Sequence, residues 1–433
     1  MRGIKLLILL AAISSVLTGC ILAISICDEE GSAPTDSLLA VQLIDDYCWN
    51  DPILQVVADG ANVYALQDHQ IVHRFTPALE PVTTFTPLAD LDAVDSSKIE
   101  DLLLVDGALY LCGYTTADLD GANAGGGDAF LAKYDGSELA WVRQLGSSDY
   151  DVGLALAAAP DGGVYLAGKA YLALPGQNGS GGEDAFAARY DADGNLLWLH
   201  QFGSNLNDYA AALAADGDEV YVLGATAGSL VGESGGGYDV FLARADASGV
   251  SYLTQLSGPN NEYPRDLLVD QGRLYVAYEI RRDLEKTEDG TTFLDGDYDI
   301  TLAAFDSNGD LLWQSDVSTH HDDHVAGLAR DGEGDVWLLG TTFGAFAGFR
   351  NDCCSEGFPL EVPTTNHGDV FWAVYTPDGE RKQLRQFGTG YDEEAFSLAI
   401  AGGRTYFAVS SCGKLSFGSK VVYQELALAA YQF

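Results

Sequence analysis

The sequence predicts an all-β protein, a seven-bladed β-propeller made of four-stranded antiparallel blades, in a chain of 433 residues. Three observations predict this fold. One segment recurs seven times with a divergent sequence, and each copy contains short strand-like runs. An N-terminal run matches the strand that the last copy lacks. Four-stranded units that repeat roughly every 40–60 residues are typical of propellers.

The repeat is clearest in the middle of the chain, where residues 128–168 match residues 184–224 along most of their length. A divergent copy starts at His69, and a truncated copy ends the chain. The acids that open the central motif of the five clear copies are spaced by 56, 55, 60 and 70 residues: Asp128, Asp184, Asp239, Asp299 and Asp369. The chain therefore contains seven copies.

Each clear copy reads as four strands, because its short runs alternate between apolar and polar residues or are rich in β-branched and aromatic residues. We name them strand A (LAAAPDG type), strand B (VYLxG), strand C (DAFLAKY) and strand D (LLWxxQLG). Tight turns are expected at Asp193-Gly194, Asp216-Gly217 and Asn308-Gly309, since these residues tolerate the positive φ that hairpins need.

The last copy contains strands A, B and C but no strand D. Residues 37–43 (SLLAVQL) resemble a strand D, residues 138–145 (ELAWVRQL). We expect this N-terminal strand to complete the last blade. Such closure joins the two ends of the ring and removes two open sheet edges.

These motifs resemble the bacterial seven-bladed propeller repeats called SBBP. The resemblance rests on DAFLAKYD, the Gly-Ser-x-x-x-Asp approach to strand A, LAxxxDG and VYLxG, and it covers residues 36–433. It is weaker in residues 50–115. The resemblance implies an exported propeller and no particular reaction, since a fold alone does not fix a function.

The N-terminus resembles the leader of a bacterial lipoprotein. Arg2 and Lys5 precede an apolar run that reaches Leu17-Thr18-Gly19-Cys20. This predicts a signal peptide (1–19), lipidation of Cys20, a tether (20–35) and a propeller (36–433) in the cell envelope. Ile21 after the cysteine implies the outer membrane, with the propeller facing the periplasm or the exterior. The alternative is a transmembrane anchor over residues 6–27.

Strand order sorts the loops onto two faces. The A–B and C–D hairpins leave one face. The B–C loops and the connectors from strand D to the next strand A leave the other, which we call the long-loop face. Its longest loop covers residues 341–368. Long loops on a rigid scaffold are where binding usually occurs, although they are also tolerated insertions.

An acid precedes most strands A, and we expect these acids to ring the channel opening on the long-loop face. A ring of carboxylates suits a divalent cation. The structural alternative is that each carboxylate caps backbone N–H groups of its own connector. The acids are Asp51, Asp151, Asp208, Asp323 and Glu393.

A histidine-rich connector, THHDDHVAG, lies on the same face. Imidazole and carboxylate together suit zinc or another transition metal. The alternative is a solvated polar loop, since five adjacent side chains cannot all point inward. The candidate ligands are His320, His321, Asp323 and His324.

The cysteines predict one disulfide on this face. Cys353 and Cys354 lie in the longest loop, and Cys412 follows strand B of the last blade. An oxidising compartment permits such a bond. We expect one of the first two to pair with Cys412.

The formal charge of −42 disfavours nucleic acid as a partner, because it repels phosphate. No HExxH motif is present. The sequence therefore favours a surface-tethered binding or scaffold module whose partner is an extracellular protein or glycan. The alternatives are a hydrolase or lyase that acts on extracellular polymer through a metal or acids near the channel, and a structural envelope component.

Overall fold

The computed structural model describes residues 23–24, 38–45, 53–121, 123–281, 298–347, 367–388, 392–417 and 420–431. Within these residues the chain forms seven antiparallel sheets of four main strands each. Two 3₁₀ turns, Ala89–Leu91 and Val94–Ser96, separate the first two blades. No helix in the described part of the chain has the length and apolar character that a membrane crossing requires.

Two N-terminal strands precede the first blade: β1 (Ala23–Ile24) and β2 (Leu38–Asp45). The strands of blades 1 and 2 are β3 (Ile53–Ala58), β4 (Val63–Gln67), β5 (Ile71–Phe75), β6 (Pro81–Phe85), β7 (Ser97–Val105), β8 (Ala108–Thr115), β9 (Asp128–Asp135) and β10 (Glu138–Leu145). Those of blades 3 and 4 are β11 (Asp151–Ala158), β12 (Val164–Ala170), β13 (Asp184–Tyr190), β14 (Leu196–Phe202), β15 (Asp208–Asp216), β16 (Glu219–Thr226), β17 (Asp239–Asp246) and β18 (Gly249–Leu256).

The strands of blades 5 and 6 are β19 (Asn261–Asp270), β20 (Arg273–Arg281), β21 (Tyr298–Asp306), β22 (Leu311–Asp316), β23 (Asp323–Arg330), β24 (Val336–Thr342), β25 (Asp369–Tyr375) and β26 (Arg381–Phe387). Those of blade 7 are β27 (Glu393–Ala401), β28 (Arg404–Phe417) and β29 (Lys420–Tyr431). Strand β2 pairs antiparallel with β29 and supplies the fourth strand of this blade. The predicted closure is therefore confirmed. Strand β1 pairs in parallel with β28.

The first strand of each blade, strand A, lies nearest the axis, and consecutive A strands contact one another around the ring, including β27 with β3. Strands B and C are buried on both faces. All of β24 and β25 is buried, for example. Double burial explains why these strands read as continuous apolar runs rather than as strict alternations.

Each hydrophobic cluster in the described residues spans two consecutive blades, so the core consists of the spaces between blades. The aromatic residue of the VYLxG motif helps to form these contacts. Tyr110 is fully buried, and its hydroxyl donates to the carbonyl of Gly162 in the next blade, at 3.0 Å. Tyr406 likewise reaches the carbonyl of Pro77 in blade 1, at 3.1 Å.

The hairpin turns have the conformation that their residues predict. Gly194, Gly217 and Gly309 have φ of 79°, 66° and 87°. These glycines lie on the face opposite the long loops. Short turns there contrast with the longer B–C loops and define the two ends of the molecule.

Candidate binding surface at the channel mouth

The seven A strands enclose a channel of about 580 Å³. Each A strand carries a one-residue bulge at the same place, where the register with strand B shifts. A bulge turns the following side chains to the other face of the strand. The residues that occupy the bulge are Leu54, Glu100, Leu154, Ala211, Arg265, Ala326 and Phe396.

The residue after the bulge often bonds to the next A strand. Asp101 Oδ2 accepts from the amide of Leu156 at 2.6 Å, and Asp266 Oδ2 accepts from the amide of Leu328 at 2.7 Å. Burial raises the pKa of Asp101 to about 7 and that of Asp266 to about 6. These carboxyls are structural ties inside the channel, and the sequence analysis did not find them.

At the long-loop end of the channel lies a group of charged residues that we call the mouth cluster: Arg265, Glu279 and His324. The Glu279 side chain is fully buried, and its Oε2 lies 2.6 Å from Arg265 Nη2 and 3.3 Å from His324 Nδ1. Arg265 and His324 are 40% and 38% exposed. One buried carboxylate, that of Glu279, therefore binds two partly exposed side chains that can donate hydrogen bonds.

Burial alone would raise the pKa of Glu279, but the hydrogen bond to His324 and the charge of Arg265 outweigh it and lower that pKa. Burial would lower the pKa of His324, yet Glu279 raises it above its ordinary value. His324 and Arg265 thus favour the ionised form of Glu279, and Glu279 favours the protonated form of His324, although the charge of Arg265 opposes that protonation.

The hydrogen bond between Glu279 and the backbone of the next blade does not require a charged side chain. Its Oε1 accepts from the amide of Val325 at 2.8 Å. In the next blade the neutral Thr341 does the same for the amide of Ala395, at 2.9 Å. Since a hydroxyl suffices for that bond, the carboxylate at Glu279 serves the two cationic side chains.

Four tyrosines lie on the long-loop face, and we call them the tyrosine arc: Tyr209, Tyr238, Tyr263 and Tyr298. Tyr209 and Tyr238 lie 6.0 Å apart between ring centroids, and Tyr263 and Tyr298 lie 6.1 Å apart. Tyr298 is also 5.0 Å from the ring of His324. All four tyrosines are half-buried. They therefore leave part of each ring available at the surface.

The loops of this face are held by a repeated pair, the strand C acid and the glutamine of strand D. Gln144 Nε2 donates to Asp128 Oδ2 at 2.9 Å and to the carbonyl of Ala117 at 3.0 Å, while its Oε1 accepts from the amide of Leu119 at 2.9 Å. The same pairing recurs in three other blades: Gln201 with Asp184, Gln255 with Asp239, and Gln386 with Asp369. These repeated residues are structural.

The predicted acidic ring is placed differently from expectation. Asp151, Asp208, Asp323 and Glu393 each begin an A strand and are at most 1% exposed, but none of them lines the channel. Oδ2 of Asp151 and of Asp208 accepts from the amide of the residue four positions earlier, at 2.5 and 2.7 Å. Asp151, Asp208 and Asp323 are therefore local caps, since a carboxylate at the first residue of the strand reaches back to its own connector. Cation binding by these acids stays a prediction, and Asp51 lies outside the described residues.

The predicted histidine site is dispersed. His320 is exposed, His324 belongs to the mouth cluster, and Asp323 Oδ2 accepts from the amide of Thr319 at 2.6 Å. The amide of His321 donates to Thr319 Oγ1 at 3.3 Å. Within the described residues no three acid, histidine or cysteine side chains are grouped closely enough to hold a metal. Metal binding by this connector stays a prediction.

The predicted disulfide cannot be placed, because Cys353 and Cys354 lie outside the described residues and the Cys412 side chain is also outside them. Cys20 lies outside as well. Cys112 is a buried free thiol in β8. Burial raises its pKa well above the ordinary value, which makes it inert packing rather than a reactive group.

Sequence reasoning missed Arg265 and Glu279. The signal was present, because Arg265-Asp266 breaks the small apolar character of strand A, and Glu279 and Arg281 put charges at the end of strand B. It also missed Glu262, which occupies in blade 5 the position of Asp151 in blade 3 and is 3% exposed.

No family model matches the chain. A curated relative, Regulatory protein FlaEY of Caulobacter vibrioides, is 26% identical over 373 residues, which cover 77% of this chain and 38% of that protein. The chain thus spans about two fifths of the relative's length. Membership of the SBBP repeat family stays a prediction.

Three solved structures are similar to this chain. BamB from Moraxella catarrhalis has 12% identity and a TM-score of 0.40, with 91% of this chain and 98% of that chain covered. Hydrazine synthase of Kuenenia stuttgartiensis has 12% identity and a TM-score of 0.48, with 85% of this chain and 94% of that chain covered. The WD40 propeller domain of Doa1 has 13% identity and a TM-score of 0.44, with 92% of this chain and 97% of that chain covered. At these values the likenesses carry no argument about function. The strand pairing described above is what defines this chain as an all-β, seven-bladed propeller of four-stranded antiparallel blades.

Proposed function

We propose that the chain is an exported, surface-tethered propeller that binds glycans at the mouth of its channel. The observation that carries this proposal is the mouth cluster together with the tyrosine arc. These partly exposed donors and rings adjoin one another on the long-loop face, and the backbone does not require their chemistry. Export and tethering rest on the leader sequence that ends at Cys20.

A sugar suits this surface for two reasons. The C–H face of a pyranose packs on aromatic rings, and Tyr263 and Tyr298 offer partly exposed rings side by side. Its hydroxyls need directional polar partners, which Arg265 and His324 supply from fixed positions. Because Glu279 fixes both donors before any ligand arrives, little side-chain freedom remains to be lost on binding.

The test is a glycan array that is probed with the purified propeller, followed by calorimetric titration of the strongest saccharide. Tyr263→Ala and Tyr298→Ala should each weaken binding by about tenfold or more, which is roughly 1.4 kcal/mol. Arg265→Gln should weaken it by a similar factor. The control is Asp193→Ala, an exposed position in a C–D hairpin on the opposite face, which should bind as the wild type does.

Two results would count against the proposal. One is an array on which no saccharide is retained above the level of the control surface. The other is a saccharide whose affinity is unchanged in both tyrosine variants, which would place its site elsewhere on the molecule.

A further inference from the structure

Five joints between consecutive blades contain a pair of buried acids in the described residues. We call three of them the carboxyl joints: Asp128 with Asp151, Asp184 with Asp208, and Asp239 with Glu262. The first acid of each pair begins strand C of one blade, and the second begins strand A of the next. All six residues are at most 3% exposed. The acids belong to the joints and not to the mouth cluster.

Each aspartate in these pairs has one oxygen without a partner. Asp128 Oδ2 accepts from Gln144, and Asp151 Oδ2 accepts from the amide of Ser147. Oδ1 of both residues is buried and makes no hydrogen bond. The same holds for Oδ1 of Asp184, Asp208 and Asp239. A buried oxygen that repeatedly lacks a partner indicates an ion or a water that belongs there.

The two carboxylates of the joint between blades 3 and 4 lie beside the same glycine. At Gly203, a Cβ would lie 2.9 Å from Asp184 Oδ1 and 2.6 Å from Asp208 Oδ2. At Gly146, a Cβ would lie 2.0 Å from Asp128 Oδ1. The glycine that follows strand D therefore leaves the room between blades that the carboxylates occupy.

The pairs carry charge that the protein does not neutralise. Among the ion pairs of the described residues, none involves any of these six acids. Two ionised carboxylates buried together without a cation are strongly unfavourable, because neither charge is solvated or paired. A neutralising species at each joint is therefore required, either a metal cation or a proton.

In the joint between blades 1 and 2 both acids are replaced. There His69 stands at the strand C position and Ser97 at the strand A position. Ser97 Oγ donates to Thr115 Oγ1 at 2.7 Å, and His69 Nδ1 lies 2.7 Å from the carbonyl of Ile99. Both acids are missing together, which is expected if they share one ligand and is not required if each merely caps its own loop.

We propose that each carboxyl joint binds one calcium ion. Calcium takes oxygen ligands in irregular shells and accepts carboxylates, backbone carbonyls, hydroxyls and water together. No third acid, histidine or cysteine joins any pair within the described residues, so backbone oxygens and water complete the shell. Magnesium and transition metals fit less well, because the first requires a near-octahedral shell and the second prefer nitrogen or sulfur. The ions would link consecutive blades.

The experiment measures calcium in the purified full chain after chelation and re-equilibration with 1 mM calcium, by elemental analysis and thermal melting. We expect at least three calcium ions per chain and a melting temperature at least about 5 °C above that of the chelated protein. Asp184→Asn/Asp208→Asn should lose one equivalent. The control, Asp193→Asn/Asp218→Asn, removes two exposed acids and should keep the wild-type stoichiometry.

A gain-of-site variant covers the case in which the loss variant does not fold. His69→Asp/Ser97→Asp restores the acid pair between blades 1 and 2 and should add one equivalent. The proposal is overturned by wild-type protein that holds no calcium and melts at one temperature with and without it, since a proton would then be the neutralising species. Full calcium content in the folded Asp184/Asp208 variant would also overturn it, because the ions would lie elsewhere.

Discussion

Asp101 shows how one side chain can hold two blades together from inside the channel. One oxygen accepts from the amide of Leu156 in blade 3, and the other accepts from Gln55 of blade 1. The same Gln55 accepts from the amide of Leu102 at 2.6 Å. Three consecutive A strands are thus linked by two polar side chains, in a space where burial disfavours ionised carboxylates.

This arrangement predicts a pH dependence of stability. Burial raises the pKa of folded Asp101 to about 7 from an ordinary value of 3.8. Between these values the folded chain binds a proton that the unfolded chain releases, so this group lowers the free energy of unfolding as pH rises from about 4 to 7. Asp101→Asn removes the titration. The stability of the variant relative to wild type should therefore rise by about 1–3 kcal/mol from pH 5 to pH 8.

The measurement is the difference in melting temperature between variant and wild type at several pH values. Asp106→Asn removes the same charge from an exposed turn, and it gives the baseline for the charge change alone. A difference for Asp101→Asn that is the same at pH 5 and pH 8 would contradict the prediction.

At the scale of the element, strand β2 joins the start of the propeller to its end. Its register pairs Ala40 with Ala430 and Val41 with Ala429, and it covers the edge that β29 would otherwise expose. An open edge is a template for pairing with another chain. The strand therefore stabilises the ring and protects it from association.

Removal of β2 tests this role. A chain that starts at residue 46 should unfold with a free energy about 3–6 kcal/mol below that of a chain that starts at residue 37, because the ladder to β29 is lost. The shorter chain should also form dimers or aggregates through β29. Chemical denaturation and light scattering give both values, and equal stability with two monomeric chains would refute the role of β2.

Sequence self-similarity was sufficient to predict the blades and the closing strand, because strands B, C and D repeat with little change. It could not place the acids. Asp151 begins an A strand as expected, but the spacing does not show whether its carboxylate faces the channel or its own connector. Arg265 and Asp266 were missed for a related reason. A bulge adds one residue to the strand, so the alternation of faces that sequence reasoning assumes is reset within it.

At the scale of the whole molecule, the net charge bears on which part of the chain could attach to a membrane and which part could bind a ligand. The formal charge is −42, and removal of residues 1–19 deletes Arg2 and Lys5, which brings it to −44. Such a surface repels anionic lipid headgroups, so the propeller itself has no electrostatic hold on a membrane. In the proposed function, the N-terminus therefore supplies the attachment, and the mouth cluster stays free to meet a ligand.

The lipid-anchor prediction rests on the leader sequence that ends at Cys20. In a bacterial expression host, labelled palmitate should be incorporated into the wild-type chain and not into Cys20→Ala. If lipid is the only anchor, Cys20→Ala should also move the propeller from the membrane fraction to the soluble fraction, even at low salt, because no charge attraction replaces the acyl chains. Ser15→Ala, which changes the leader without touching the cysteine, is the control. A Cys20→Ala chain that lacks label yet sediments with membranes would show instead that residues 6–27 span the bilayer.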